Sequence, residues 1–202
     1  MKRTVTFGEI MLRLKTPEHM RILQTDAFEA SYGGAEANVA VSLAVLKDPV
    51  SFVTKLPENP VGTAALNEVR RYGADTSKVV IGGSRLGIYF FEKGTDIRPT
   101  NVVYDREGSA LALAKPEEFH WDEILKDTDI FYFSGVTPAV SENIAKAVLE
   151  ALKYCKAHGI ETVCDLNYRS KMWDTKKAQS VMSELMNYVT LCIANDEDFE
   201  SS

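Results

Sequence analysis

Apolar positions along the chain recur with two spacings, about every second residue and about every third to fourth, and the two alternate from one end to the other. That switching predicts strands and helices in turn. Residues 4–14 (TVTFGEIMLRL) open as an apolar run and close in alternation. They predict one strand with Met11 and Arg13 on the face opposite Leu12 and Leu14. Residues 16–30, with Pro17 and mixed polarity, read as a loop or irregular edge. The run 35–46 (AEANVAVSLAVL) is apolar on nearly every side, which predicts a helix packed deep against a sheet and ended by Lys47, Asp48 and Pro49. Residues 50–56 alternate as a strand, 63–72 form a short amphipathic helix stopped by Gly73, and 79–81 a short strand. Two period-2 runs, 86–92 and 97–106, are joined by Lys93-Gly94-Thr95-Asp96 and predict a hairpin. On its second strand Val102, Tyr104 and Arg106 share a face. Beyond residue 110 the alternation resumes with a helix at 121–126, a strand at 129–134 ending at Gly135, and a helix from Ser141 as N-cap to Gly159 as terminator. A strand at 160–165, a helix at 179–188 and a strand at 189–194 running into Asn195-Asp196-Glu197-Asp198 complete the pattern.

Strands alternating with helices imply an α/β fold, a doubly wound and mostly parallel sheet with helices on both faces. In such a sheet ligands gather beyond the carboxyl ends of the strands. The candidate site is therefore the loop Gly33 to Asn38, Gly135, the stretch Asp165 to Arg169, and Asn195 to Asp198. Gly33 and Gly34 carry no Cβ, so the backbone can turn sharply and a ligand can approach it closely. The helix that follows aims its unpaired N–H groups at that ligand, and the Asn38 carboxamide both donates and accepts, which suits a hydroxylated small molecule. A plain tight turn before a buried helix is the alternative.

Composition narrows the partners. At 202 residues the chain is one domain, and a net charge of -6 from 23 Lys+Arg and 29 Asp+Glu offers no basic field to nucleic acid. No run of eighteen apolar residues or signal-peptide core is present, so the expectation is a cytoplasmic protein with no membrane partner. Cys155, Cys164 and Cys192 lack Cys-x-x-Cys spacing and read as reduced core residues. Neither Gly-x-Gly-x-x-Gly nor a phosphate loop ending in Gly-Lys-Ser/Thr occurs, which argues against a dinucleotide oxidoreductase and a P-loop ATPase.

The stretch GGAEANVAV, preceded by FGEIMLRL, is similar to the N-terminal signature of the ribokinase-like, or PfkB, carbohydrate kinases. TNVVYDREGSA, DLNYRSKMW and NDEDFE resemble 2-keto-3-deoxygluconate kinases within that family, and the match runs in register from Thr4 to the end of the chain. The resemblance implies one incomplete domain over 1–202, with a small β lid formed by about 11–28 and 84–108 and a homodimer formed through the lid. It implies ATP-dependent phosphorylation of a sugar hydroxyl, with ATP and Mg²⁺ as cofactors. Carried over by position, it puts substrate contacts at Arg13, Gly33, Gly34, Asn38, Tyr89, Tyr104, Arg106, Asp165 and Arg169. Asn195 and Asp198 would hold the phosphates and Mg²⁺, Asp198 through water, with aspartate where the family has glutamate.

Arginine grips a carboxylate through two parallel hydrogen bonds, which suits a 2-keto-3-deoxy sugar acid. A kinase of a neutral sugar such as fructose or ribose, and a sugar-binding or regulatory protein without turnover, remain the alternatives. Each residue also has a plainer reading: Arg106 as a solvent-facing charge, Tyr89 and Tyr104 as strand formers, Arg169 as an ion-paired loop residue, Asp165 as a cap or turn residue, and 195–198 as an acidic helix start. The family's Gly-Ala-Gly-Asp loop, which supplies the base, is nowhere in the 202 residues. The expectation is thus the N-terminal part of a kinase, binding sugar without catalysing and leaving apolar surface uncovered, with poor solubility or self-association.

Overall fold

The computed structural model describes residues 2–196. In chain order its first half holds β1 (Thr4–Phe7), β2 (Met11–Lys15), β3 (Glu29–Gly33), α1 (Ala35–Val45), β4 (Val50–Val53), β5 (Lys55–Leu56), α2 (Pro60–Arg70) and β6 (Val80–Ile81). Its second half holds β7 (Ile88–Glu92), β8 (Asn101–Asp105), α3 (Trp121–Ile124), β9 (Ile130–Ser134), α4 (Val136–Ala139), α5 (Glu142–His158), β10 (Glu161–Asp165), α6 (Thr175–Met186) and β11 (Leu191–Ile193).

Five strands form a wholly parallel sheet in the order β11-β10-β9-β1-β4. The order reverses about β1, so the crevice beyond the carboxyl ends of β1 and β9 is the switch point at which such sheets take ligands. β1 is paired on both edges and buried along its whole length. On one face Val5, Phe7, Phe131 and Phe133 pack under α5 through Ile144, Val148 and Leu152, with Phe119 and Trp121 edge-on to Phe7 at 4.9 and 5.1 Å. On the other, α1 and α2 cover Val50 and Phe52 with Ala37, Ala40, Ala65 and Val69.

A second sheet, in the order β3-β2-β7-β8, is antiparallel except between β2 and β7. The expected segments 11–28 and 84–108 contribute three of its four strands, and β3 adds a fourth from beyond them. A two-stranded parallel pair, β5 and β6, lies apart from both.

Several expected boundaries differ. The single strand expected at 4–14 is two, because Gly8, Glu9 and Ile10 carry the chain from one sheet to the other. The expected loop at 16–30 ends in β3. The strand expected at 50–56 breaks at Thr54, and the hairpin connection runs from 93 to 100, where Thr95 N donates to Arg98 O at 2.8 Å. α2 and α6 start earlier than their apolar periods, since Asn59 accepts from Gly62 N and Asp174 from Lys177 N at 2.8 Å. α5 matches expectation at both ends: Ser141 accepts from Ile144 N and Gly159 closes the helix at φ 71°. The deep burial expected of α1 is half met, for only Glu36, Ala37 and Ala40 are fully buried, while Leu46 just past its end is 72% exposed. Leu191 and Ile193 on the sheet-edge strand β11 are 55% and 50% exposed.

Candidate functional site

The second sheet overhangs the carboxyl ends of the parallel strands, and between them lies a cavity of about 490 Å³. Its roof follows from strand register. Ser31, Arg13, Tyr89 and Tyr104 are successive cross-strand neighbours from β3 to β8, and side chains two residues apart share their face. Met11, Gly33, Phe91 and Val102 line the cavity beside them. The floor is Gly34, Ala35 and Asn38 at the start of α1, Val136 beyond β9, and Asn167, Arg169 and Met172 beyond β10. Asn167 holds φ at 38°, a left-handed conformation that few side chains adopt.

Gly34 is required for a reason other than a turn. Its backbone is extended, and a Cβ there would stand 1.9 Å from the Glu9 carbonyl oxygen. The start of α1 is thereby seated against the passage between the two sheets. Gly33 meets nothing closer than Asn38 Oδ1 at 3.7 Å.

Arg13 stacks over the Phe91 ring at 4.6 Å and lies beside Tyr89, its cross-strand neighbour, while its buried Nε has no partner among the described residues. Burial raises the Tyr89 hydroxyl above its usual pKa, with Arg13 opposing, so the hydroxyl keeps its proton and can donate. The Tyr89 and Tyr104 rings stand 5.8 Å apart. Arg106 pairs with Glu9, reaches Met172 Sδ at 3.2 Å and lies 5.8 Å from the Tyr104 ring. Arg169 donates to its neighbour's carbonyl, Tyr168 O, at 3.2 Å. Lys171 Nζ donates to Val102 O at 2.9 Å, tying the loop after β10 to the overhanging sheet.

The lining thus holds three arginines and a single acidic residue, Glu9, a formal excess of two positive charges. Glu9 is paired with Arg106, and among the described residues neither Arg13 nor Arg169 forms an ion pair. Such a lining offers cationic donors to an anion and tyrosine and asparagine groups to hydroxyls.

Of the residues expected here, Arg13, Gly33, Gly34, Asn38, Tyr89, Tyr104, Arg106 and Arg169 line this one cavity. Asp165 does not. It ends β10 between Ser134 and Ile193, and its carboxylate lies near Tyr132, whose pKa burial and that charge push up. Asn195 is exposed just past β11, and Asp198 lies outside the described residues. Among the described residues no group of three or more His, Cys, Asp or Glu is arranged to hold a metal ion. Nor is any described helix long and apolar enough to cross a membrane. Sequence reasoning missed Glu9, Phe91 and Met172, and it held Asn167 only as part of the stretch Asp165 to Arg169 without a role of its own. Phe91 was within reach as a period-2 neighbour of Tyr89, whereas Glu9 was hidden in what read as an unbroken strand.

One buried carboxyl sits just beneath the floor. Glu36 Oε1 accepts from Ser134 N at 2.9 Å, Ser134 Oγ at 2.5 Å and Thr137 Oγ1 at 2.8 Å, joining α1 to the end of β9. Its Oε2 has no partner among the described residues, and burial raises its pKa against those hydrogen bonds.

The sequence profile described as pfkB family carbohydrate kinase matches residues 1–202. The chain belongs to that family. Among solved structures, the pfkB-family chain is 49% identical to 2-dehydro-3-deoxygluconokinase of Thermotoga maritima, with a TM-score of 0.97 over 100% of this chain and 62% of that one. It is 38% identical over 197 residues to 2-dehydro-3-deoxygalactonokinase of Haloferax volcanii, covering 98% of this chain and 62% of that protein. To 5-dehydro-2-deoxygluconokinase of Shouchella clausii it is 29% identical over 185 residues, or 90% of this chain and 56% of that protein. The chain therefore spans less than two thirds of the length of these relatives. The observed fold, a mostly parallel sheet with helices on both faces, is the one it shares with its solved relatives.

Proposed function

We propose that the chain supplies the acceptor-binding part of an ATP-dependent kinase of a 2-keto-3-deoxy sugar acid, 2-keto-3-deoxygluconate being the foremost case. The observation that carries the reading is the pair of arginines, Arg13 and Arg169, without a carboxylate partner among the described residues, in a cavity that also presents tyrosine and asparagine side chains, the Arg106 and Glu9 pair, and apolar Met11, Phe91 and Val102. A neutral sugar leaves two such charges uncompensated, whereas a sugar acid brings the carboxylate they lack. In this reading Arg13 and Arg169 hold the carboxylate, Asn38 and the Gly34 backbone meet hydroxyls, and the tyrosine rings wall off water. The names of the relatives, kinases of dehydro-deoxy sugar acids, support the same class.

ATP with Mg²⁺ would supply the phosphoryl group and neutralise its charge. Only Asn195 of the two residues expected to meet it is described, so the roles assigned to this chain are binding and orientation of the acceptor. The sequence contains no Gly-x-Gly-Asp loop to provide the base, and these 202 residues alone are proposed to bind without turnover. The protein is proposed to be cytoplasmic and homodimeric through the lid. Supporting that pairing, β3 and β8 are edge strands of the second sheet, and Leu23 and Ile97 on the adjoining connections are almost fully exposed.

Calorimetric titration of the purified chain with 2-keto-3-deoxygluconate and with fructose tests the reading. The acid is expected to bind at least tenfold more tightly, with Arg169→Ala and Arg13→Ala each costing roughly tenfold to a hundredfold for the acid and little for fructose. Equal binding of fructose, or acid binding indifferent to both substitutions, rejects it.

A further inference from the structure

Glu9 stands on the passage Gly8 to Ile10, where the chain leaves the parallel sheet for the lid. Its side chain is 3% exposed and pairs with Arg106, itself 15% exposed and just past the end of β8. Its Oε1 accepts from Ser109 Oγ at 2.5 Å. Gly87, where the chain enters β7, comes so near that a Cβ would stand 3.0 Å from the same oxygen. One carboxylate thus joins the passage from β1 to β2, the entry to β7 and the exit from β8.

From this geometry we infer that Glu9 is a specificity-determining residue of the site, an inference that rests on reading the cavity as a sugar-acid site. Pairing with Glu9 does two things to Arg106. It fixes the plane of the guanidinium, because one nitrogen is committed to Glu9 and the other faces the weakly accepting Met172 sulfur. It also cancels the charge, so the remaining N–H groups act as placed donors for a ligand oxygen without adding a third attraction for any passing anion. The lid therefore selects an acid of a particular shape over a bare anion. Without Glu9, Arg106 becomes a mobile cation at the rim.

Glu9→Gln keeps the shape and the acceptor for Ser109 while removing the charge. Calorimetry with 2-keto-3-deoxygluconate and, separately, with inorganic sulfate reads the two effects. The sugar acid is expected to bind roughly tenfold more weakly and sulfate several-fold more tightly, and Glu9→Gln/Arg106→Met should lose the sulfate gain. Opposite movement of the two ligands is the mark of selectivity, since general loosening weakens both. Parallel weakening, or no change in either, overturns the inference.

Should Glu9→Gln fail to fold, Ser109→Ala loosens Glu9 without altering its charge. It is expected to weaken the acid about threefold with sulfate unchanged, and equal loss of both ligands counts against Glu9. If the wild-type chain binds no sugar acid, the functional reading falls, while the sulfate measurements still decide the role of Glu9. A sulfate gain that depends on Arg106 supports charge cancellation, and its absence rejects it.

Discussion

The two sheets are built on different physics. In the parallel sheet β1 and most of β9 are buried, with Val5, Phe7, Phe131 and Phe133 packed under α5 on one face, while α1 and α2 cover β4 on the other. In the overhanging sheet β3 and β8 are mostly exposed, and what fixes the inner face is a row of arginines and tyrosines in register. Two of the buried glutamates stand on opposite sides of this contrast. Glu36, under the parallel strands, meets only neutral donors, whereas Glu9 at the passage to the lid meets a guanidinium. The lesson is a division of labour: substitutions in the first region should appear as lost stability, those in the second as lost recognition.

Glu36→Ala should break the scaffold most severely. It leaves Ser134 N and Oγ without their acceptor, while Thr137 Oγ1 keeps the Phe7 carbonyl, and it opens a void, costing about 3–4 kcal/mol, read as a lower urea midpoint. Next is Gly34→Ala, where the new methyl would meet the Glu9 carbonyl and cost about 3 kcal/mol, while Gly33→Ala stays within about 1 kcal/mol. Similar midpoints for these two alanine variants would contradict the close approach described above.

Glu36→Gln sharpens the comparison through pH. Burial lifts the folded pKa of Glu36 above its ordinary 4.5, so the native chain holds the proton more tightly than the unfolded chain. Its contribution is therefore complete below about pH 4.5 and is withdrawn as pH rises through the higher folded value. The glutamine has no such proton, so the variant should gain on the wild type as the pH rises above about 4.5 in denaturant titrations. A constant gap across that range would show that burial does not perturb the carboxyl. Tyr104→Ala in the overhanging sheet should, like Gly33→Ala, change stability by no more than about 1 kcal/mol, yet weaken acid binding several-fold.

What was legible in the sequence followed local rules. Ser141 and Gly159 bounded α5 because a cap and a left-handed terminator are chosen by the residues themselves. The alternation of 102, 104 and 106 put Val102, Tyr104 and Arg106 on one face, and all three reach the cavity. The bend at Gly8 to Ile10 was illegible, since FGEIMLRL alternates as smoothly through a change of sheet as through a single strand. β3 was missed because EASYG presents a mostly exposed edge with little apolar period to detect. The Glu9 and Arg106 pair joins residues 97 positions apart, a contact decided by topology that no spacing rule encodes.

Because Glu9, Gly34, Gly87, Arg106 and Ser109 meet at one junction, the overhang is not a detachable module. Anyone grafting a relative's flap onto this scaffold to change what the cavity admits would have to transplant those five positions as a set, or the borrowed strands would arrive without their hinge pin.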